Sequence, residues 1–350
     1  MGVYKSLVRP LLFRLNPERA QTISKTFLKR RYLWRPVSSF MQVHEEMLKT
    51  DLAGIGLKNP VGLAAGFDKY CEIVGTFMEL GFGYVTCGSI VSDPREDNPR
   101  PRYVRYPERE SLVNCTGIPS RGLNYALKGL RGYANRTTPI IANIQDFDIQ
   151  GYLRSFEAVQ PLVDAVEVAT VCPNEKYDTF NPLRHETFDR LLAIIHTQKQ
   201  KPVLVKIRNY HNEKERENRL ELIRMCLRHR IDGITLPGSM TVEEPRLSLG
   251  RGNLTGRAVF KNTLRNIRDI WEETEGKVAI KALGGIFRGE DAFQAIKAGA
   301  TTVETVTGVI YEGVSWAKHI NQELVGLLKQ EHFASIGELR GYGAPQTVAA

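Results

Sequence analysis

Nothing in the 350 residues is long and apolar enough to cross a bilayer: no hydrophobic run approaches the roughly 18 to 20 residues of a spanning helix, and no short apolar stretch leads to a small-residue cleavage site. Cysteine is scarce as well. The five thiols, Cys71, Cys87, Cys115, Cys172 and Cys226, are odd in number and never fall in CxxC or CxxH spacing. That pattern speaks against a disulfide framework and the common zinc sites, and no metal is expected. Internal repeats and low-complexity tracts are missing too. Acidic residues are almost absent from one place only: residues 1–43 hold nine Lys or Arg against a single acid, Glu18, whereas the rest of the chain is nearly balanced within a net charge of +9. A basic stripe crossing a folded domain is therefore not indicated, and no nucleic-acid partner is expected.

What is present is a series of short apolar segments, most of them followed by an amphipathic helix. Eight strands are predicted, at 61–65, 84–88, 140–144, 165–171, 203–207, 233–237, 278–283 and 302–306. Strand and helix in alternation imply parallel β/α units, and eight such units imply a (β/α)8 TIM barrel, whose chemistry collects at the carboxyl ends of the strands. The expected organisation is an N-terminal helical extension over 1–43 and a barrel over 44–350, with residues 89–139 forming an excursion over the mouth that includes a helix near 122–134.

In the extension, Val3, Tyr4, Leu7, Val8, Leu11, Leu12 and Leu15 recur at helical spacing with Lys5, Arg9 and Arg14 between them. A second helix is announced by Asn16 as N-cap and Pro17 at its first position. Two basic amphipathic helices fit the headgroup region of an anionic membrane, and they fit equally a cap on the bottom or side of the barrel. An Arg-rich, acid-poor presequence is a third reading. The MGxxxS start matches a myristoylation pattern on too few residues to carry weight.

At the strand ends, Gly284-Gly285 precedes a helix at 289–298, and Thr307-Gly308 precedes another from about Val314. Adjacent loops of this kind form the usual phosphate corner of a barrel. Lys69 and Lys206 end strands one and five, where a lysine serves as Schiff-base nucleophile, anion ligand or ion-pair partner. Cys172, followed by Pro173 and Asn174 at the end of strand four, is a candidate nucleophile or general base, with inert core as the alternative. From the fold alone, a phosphate-binding aldolase or lyase using Lys206 or Lys281 is a rival to a redox enzyme, and a non-catalytic binding module with an idle Cys172 is another.

Taken in order, LLFRLNPERA, NPVGLAAGFDK, DNPRPRYVRYP with VNCTG, DGI, LTGR, LGGI and TGVIYEG make the chain resemble class 2 dihydroorotate dehydrogenases, the membrane-associated, FMN-dependent, quinone-reducing branch of that family, over nearly its whole length. The resemblance implies FMN across the barrel mouth, its phosphate on Gly284, Gly285, Thr307 and Gly308, and its ring approached by Ala64, Ala65, Gly66 and Asn143. It implies Lys206 beside the flavin N1 edge, and Lys69, Asn114, Asn174 and Ser239 around the substrate. Cys172 stands where the class 2 family has a serine base, so a thiolate would take the proton while the neighbouring carbon gives hydride to the flavin. Quinone would arrive under the N-terminal helices, past Arg105 and Gln21, with the protein peripheral on the cytoplasmic face of a membrane.

Departures from the family pattern gather in the substrate cage. Ala169, Val171 and Glu175 replace an asparagine, a serine and a threonine around the base, and Pro237-Gly238-Ser239 replaces Thr-Asn-Thr. Ile118-Pro119 stands for Phe-Asn, Gln145-Asp146 for Gly-Lys, Val306 for tyrosine, and Gln21 for a histidine. Two lost amides, at roughly 1 to 3 kcal/mol each, would weaken a pyrimidine substrate by about one to four powers of ten. A larger, less polar cage bounded by Ala169, Val171, Gly238 and Ile118 favours a non-orotate substrate, with dihydroorotate itself as the alternative.

Overall fold

In the computed structural model, which describes residues 3–170 and 184–343, eight parallel strands close into a barrel. They are β1 (Val61–Leu63), β2 (Tyr84–Ile90), β3 (Ile140–Ile144), β4 (Ala165–Ala169), β5 (Val203–Lys206), β6 (Gly233–Pro237), β7 (Ala279–Leu283) and β8 (Thr302–Thr305), with β8 paired to β1 to complete the ring. All eight predicted strands are present, shorter by a residue or two at several ends. They read as near-continuous apolar runs because helices cover one face and packed side chains fill the other. Helices follow the strands in turn, among them Ile149–Val159, Glu213–Arg228, Phe260–Glu273, Gly289–Lys297 and Trp316–Gln330. Between β8 and the last of these lies a short helix, Thr307–Glu312, that the sequence pattern did not announce.

The bottom of the barrel is closed by a hairpin, Thr50–Leu52 with Ile55–Leu57. Its Leu52 and Leu57 pack on Tyr84, Ile141, Ala165 and Leu204 near the starts of four strands. The two helices of the N-terminal arm lie at the mouth rather than the bottom, while the arm's later part packs along the barrel side, Arg31 pairing with Glu79 at 2.6 Å and the Thr76 hydroxyl donating to the Leu28 carbonyl at 2.6 Å. Its helical turns run from Tyr4 to Arg14 (Arg9–Arg14 is α1), opening with a wide turn over Tyr4–Val8; Pro10, with no amide proton to give, sits next to the junction. The second helix, α2 (Pro17–Leu28), is capped as predicted: the Asn16 side chain accepts from the Glu18 amide, worth about 1 kcal/mol.

Side chains fasten the arm to the segment after β8. The Tyr4 hydroxyl donates to the Ile310 carbonyl at 2.6 Å, Arg9 donates to the Tyr311 carbonyl at 3.1 Å, Lys5 pairs with Glu312 at 2.5 Å, and Phe13 meets Tyr311 edge-on. Gly313 has no side chain because a Cβ there would lie 2.5 Å from the Tyr4 ring. Glu18, the arm's one acid, is buried and accepts from the Arg102 amide at 3.0 Å. Meanwhile Val3, Leu7, Leu11 and Phe27 are more than half exposed. No helix among the described residues is long and apolar enough to cross a membrane.

The excursion over 89–139 supplies half of an antiparallel sheet above the mouth. Tyr103–Tyr106 and Ser111–Asn114 pair with each other, and the latter pairs with Arg251–Gly256, which continues into Met240–Glu243. The sequence revealed the excursion but not that the connection after β6 would complete its sheet.

Candidate functional site

One cavity of about 740 Å³ runs from between the arm helices to the carboxyl ends of the barrel strands. Its outer end is lined by Val3, Val8, Leu12, Ile23 and Phe27, its inner end by strand-end and loop residues. Gln21 and Arg105 line it where the arm meets the mouth sheet. Gln21 donates to the Tyr103 hydroxyl at 3.1 Å, and Arg105 donates to the carbonyls of Leu12 and Leu15 while its guanidinium lies 4.5 Å over the Phe13 ring. Both residues singled out for quinone thus share one wall.

Deeper in, Lys69, Asn114 and Ser239 line the same space as Ala65, Gly66, Asn143 and Lys206. Gly284, Gly285 and Thr307 form its far corner. Two of the sequence candidates stand behind the wall: Ala64 is fully buried with its amide donating to the Thr305 carbonyl, and the Gly308 amide is bonded to the Thr305 hydroxyl at 2.8 Å. Neither lines the cavity, so their part is to hold the wall in place. Cys172 and Asn174 lie outside the described residues, as do Val171 and Glu175.

The corner suits a phosphate-bearing group. Gly284 and Gly285 adopt φ of 128° and 77°, the region that favours glycine, and a Cβ on Gly285 would lie 2.6 Å from the Phe260 Cβ. Thr307 donates its hydroxyl to Thr255 at 3.0 Å, tying the loop after β8 to the mouth sheet. Asn143, wholly buried yet lining the cavity, keeps an Oδ1 with no partner among the described residues, an acceptor suited to an N–H on a bound ring. These features fit a flavin nucleotide.

One expectation about the cage is corrected. Gly238 does not enlarge it: a Cβ there would fall inside the contact radius of Gly284 Cα and 2.7 Å from the Leu283 carbonyl carbon. The volume a side chain would need is backbone of the phosphate loop, not room for ligand. Ala169 and Ile118 do line the cavity. Sequence reasoning also missed Asn253, which faces Asn114 across the mouth sheet, lines the cavity and has a buried Oδ1 without a partner among the described residues. An amide there adds polarity to the same cavity that Ala169 lines. Of the pair Gln145-Asp146, Gln145 lines the cavity while the Asp146 carboxylate accepts from the Ser92 amide at 2.9 Å and shapes a loop.

Beneath this floor the barrel interior is ionic. Lys281 of β7 pairs with Glu167 of β4 at 2.6 Å and with Glu304 of β8 at 3.2 Å, all three fully buried. Because β4 and β7 are not neighbours, the contact crosses the barrel. Burial pushes the Glu167 carboxyl up, but Lys281 and Lys206 with their hydrogen-bonding neighbours outweigh it and hold it at about 2. Burial and the nearby Glu167 charge push Glu304 up, Lys281 offsetting only part of this. Burial alone would lower Lys281, yet its two carboxylates raise it, and it does not line the cavity. A cation so placed is closed to substrate, which removes Lys281 as a Schiff-base lysine.

The chain matches the family model described as dihydroorotate dehydrogenase over residues 47–328. Among curated proteins it is similar to the dihydroorotate dehydrogenase (quinone) of Roseiflexus sp. (strain RS-1), 30% identical with 96% of this chain and 97% of that one covered. It is also similar to the protein of that name from Thermus thermophilus, 28% identical with 94% and 98% covered. Among solved structures, DHODH from Eimeria tenella in complex with ferulenol shares the fold at a TM-score of 0.77 and 23% identity, covering 91% of this chain and 95% of that one.

Proposed function

Since the chain belongs to the class 2 dihydroorotate dehydrogenase family, flavin-dependent oxidoreductases acting on CH–CH bonds, we propose that it uses FMN to oxidise a small carbonyl-activated CH–CH substrate and passes the electrons to a quinone. The single observation that carries this is the continuous cavity, polar and glycine-cornered at the barrel and apolar between the arm helices. A compact polar substrate suits the inner end and a long apolar acceptor the outer.

In this reading Gly284, Gly285 and Thr307 hold the phosphate, and Ala65, Gly66, Asn143 and Lys206 border the ring, with Ala64 and Gly308 supporting them from behind. FMN, when bound, supplies the hydride acceptor. Cys172 takes the proton beside the substrate carbonyl. Lys69 places a cation where a substrate carboxylate or carbonyl would lie, and Asn114, Asn174, Ser239 and Asn253 supply polar contacts. Lys206 places a second cation at the ring edge that gains charge on reduction. Arg105 and Gln21 border the quinone path. The extension over 1–43 is a separate functional unit: its exposed Val3, Leu7, Leu11 and Phe27 beside cationic side chains fit peripheral attachment to the cytoplasmic face of a membrane.

For the substrate, Ala169 and Ile118 against the cavity support a molecule less polar than dihydroorotate on that side. Dihydroorotate itself is favoured by the relatives' names at 28 to 30% identity over nearly full length, and by Asn253, which adds an amide to the cavity lining. The test is the absorbance of the pure protein followed by anaerobic titration. A yellow protein bleached by a more apolar analogue and not by dihydroorotate supports the altered cage; ready bleaching by dihydroorotate, with rescue of a pyrimidine-requiring strain, supports the second reading. A colourless protein unable to take up FMN defeats both.

A further inference from the structure

We propose that Glu167 is a positioning residue for the cofactor face of the barrel, its buried carboxylate setting which atoms Asn143 and Lys206 offer to FMN. The assignment rests on the flavin reading above. Glu167 Oε1 accepts from Asn143 Nδ2 at 2.6 Å and lies 3.8 Å from Lys206 Nζ; Oε2 accepts from Thr235 Oγ1 and from Lys281 Nζ, each at 2.6 Å. Side chains of β3, β5, β6 and β7 thus converge on one carboxylate that no water reaches.

Two consequences follow from the chemistry. A carboxylate only accepts, so the Asn143 amide is oriented with its amino group inward, one N–H given to Glu167, and its Oδ1 has no partner among the described residues. The orientation set by Glu167 therefore fixes Oδ1 as the acceptor that Asn143 offers, matched to a ring N–H. Lys206, at 3.8 Å, is attracted without being tied at hydrogen-bond distance, which leaves its protons for an acceptor in the cavity, and the carboxylate offsets part of its charge.

Glu304 supplies the control. It is equally buried and touches the same Lys281, but its recorded contacts, with Tyr84, Thr86 and Lys281, include neither Asn143 nor Lys206. Glu167→Gln and Glu304→Gln each remove one carboxylate from the cluster, but only the first removes a direct contact with the two residues at the ring; Glu304 reaches Lys206 through its longer-range field alone.

The experiment measures FMN dissociation from the full-length protein by fluorescence titration and the two-electron midpoint potential by equilibration with a reference dye. For Glu167→Gln, FMN binding weakens at least fivefold and the reduction equilibrium moves about tenfold toward the reduced, negatively charged form, about 30 mV upward for two electrons. For Glu304→Gln both readouts change less than threefold. Equal effects from the two variants overturn the assignment, as does a Glu167→Gln protein that matches the parent. Should Glu167→Gln not fold, the pair Glu167→Gln with Lys281→Gln, which keeps the net charge, still weakens FMN binding fivefold or more; parent-like binding in that pair overturns the assignment. A parent protein that takes up no FMN refutes the flavin reading instead.

Discussion

Replacing Gly238 with alanine tests how the loops after β6 and β7 share space. The added methyl would meet two backbone groups, Gly284 Cα and the Leu283 carbonyl, and backbone cannot step aside by changing rotamer. Overpacking of this kind costs typically about 1–3 kcal/mol, and a collision with two backbone groups belongs at the upper end. Relief requires the β6 loop to lift or the Gly284-Gly285 turn to shift away, and the turn is the predicted phosphate cradle. Stability and cofactor affinity should therefore fall together: about 2–3 kcal/mol in urea unfolding, and about five- to tenfold in FMN dissociation if half of the strain is relieved by moving the turn. Equilibrium denaturation and fluorescence titration of the same preparation give both numbers. A Gly238→Ala protein with parental stability and parental FMN affinity would refute the packing argument, and a Gly238→Asn protein that gained turnover of dihydroorotate would show that the cage does have room there.

Cys172→Ala should leave FMN bound and slow its reduction by substrate about 10²- to 10⁴-fold, measured by anaerobic stopped flow; an unchanged rate removes Cys172 from the chemistry. Arg105→Ala should lower turnover with a quinone acceptor while leaving anaerobic bleaching by substrate as it was, and equal loss in both half-reactions would count against a quinone role. Lys281→Met strands two buried carboxylates, and urea unfolding should register a loss of about 3–5 kcal/mol; a loss below about 1 kcal/mol would mean the triad is already neutral. Because Glu167 is held at about 2 against an ordinary 4.5, the folded state releases this proton more readily than the unfolded one. Its contribution to stability is complete above pH 4.5 and drains as pH falls toward 2, so Glu167→Gln should flatten acid unfolding in that window; an unaltered slope would contradict the depressed value.

The barrel was legible because its strands are apolar, rich in β-branched residues and bounded by loops, so that Ile140–Ile144 and Gly233–Pro237 were placed to the residue. The turn at Gly284 and Gly285 was legible for the same local reason, glycine where backbone must turn tightly. Partnerships across the barrel were not. Glu167, Lys281 and Glu304 each interrupt an apolar strand, and three compensating charges at such positions were a visible signal, but reading Lys281 alone made it resemble a reactive amine. Asn253 gained its place from the register of a sheet joining segments 139 residues apart in the chain, which no local pattern contains. Gly238 shows the reverse error: a missing side chain was taken for empty space when another loop fills it.

The arm's fastening has a mechanical corollary. Tyr4, Lys5 and Arg9 grip positions 310–312, the end of the same short helix that begins at Thr307. A pull on the first ten residues, from a lipid surface or a detergent micelle, would be transmitted within two helical turns to Thr307, the threonine proposed for the phosphate corner. Under the proposed function, attachment and cofactor retention share a lever, and a preparation stripped from a membrane would lose flavin for reasons that have nothing to do with the barrel itself.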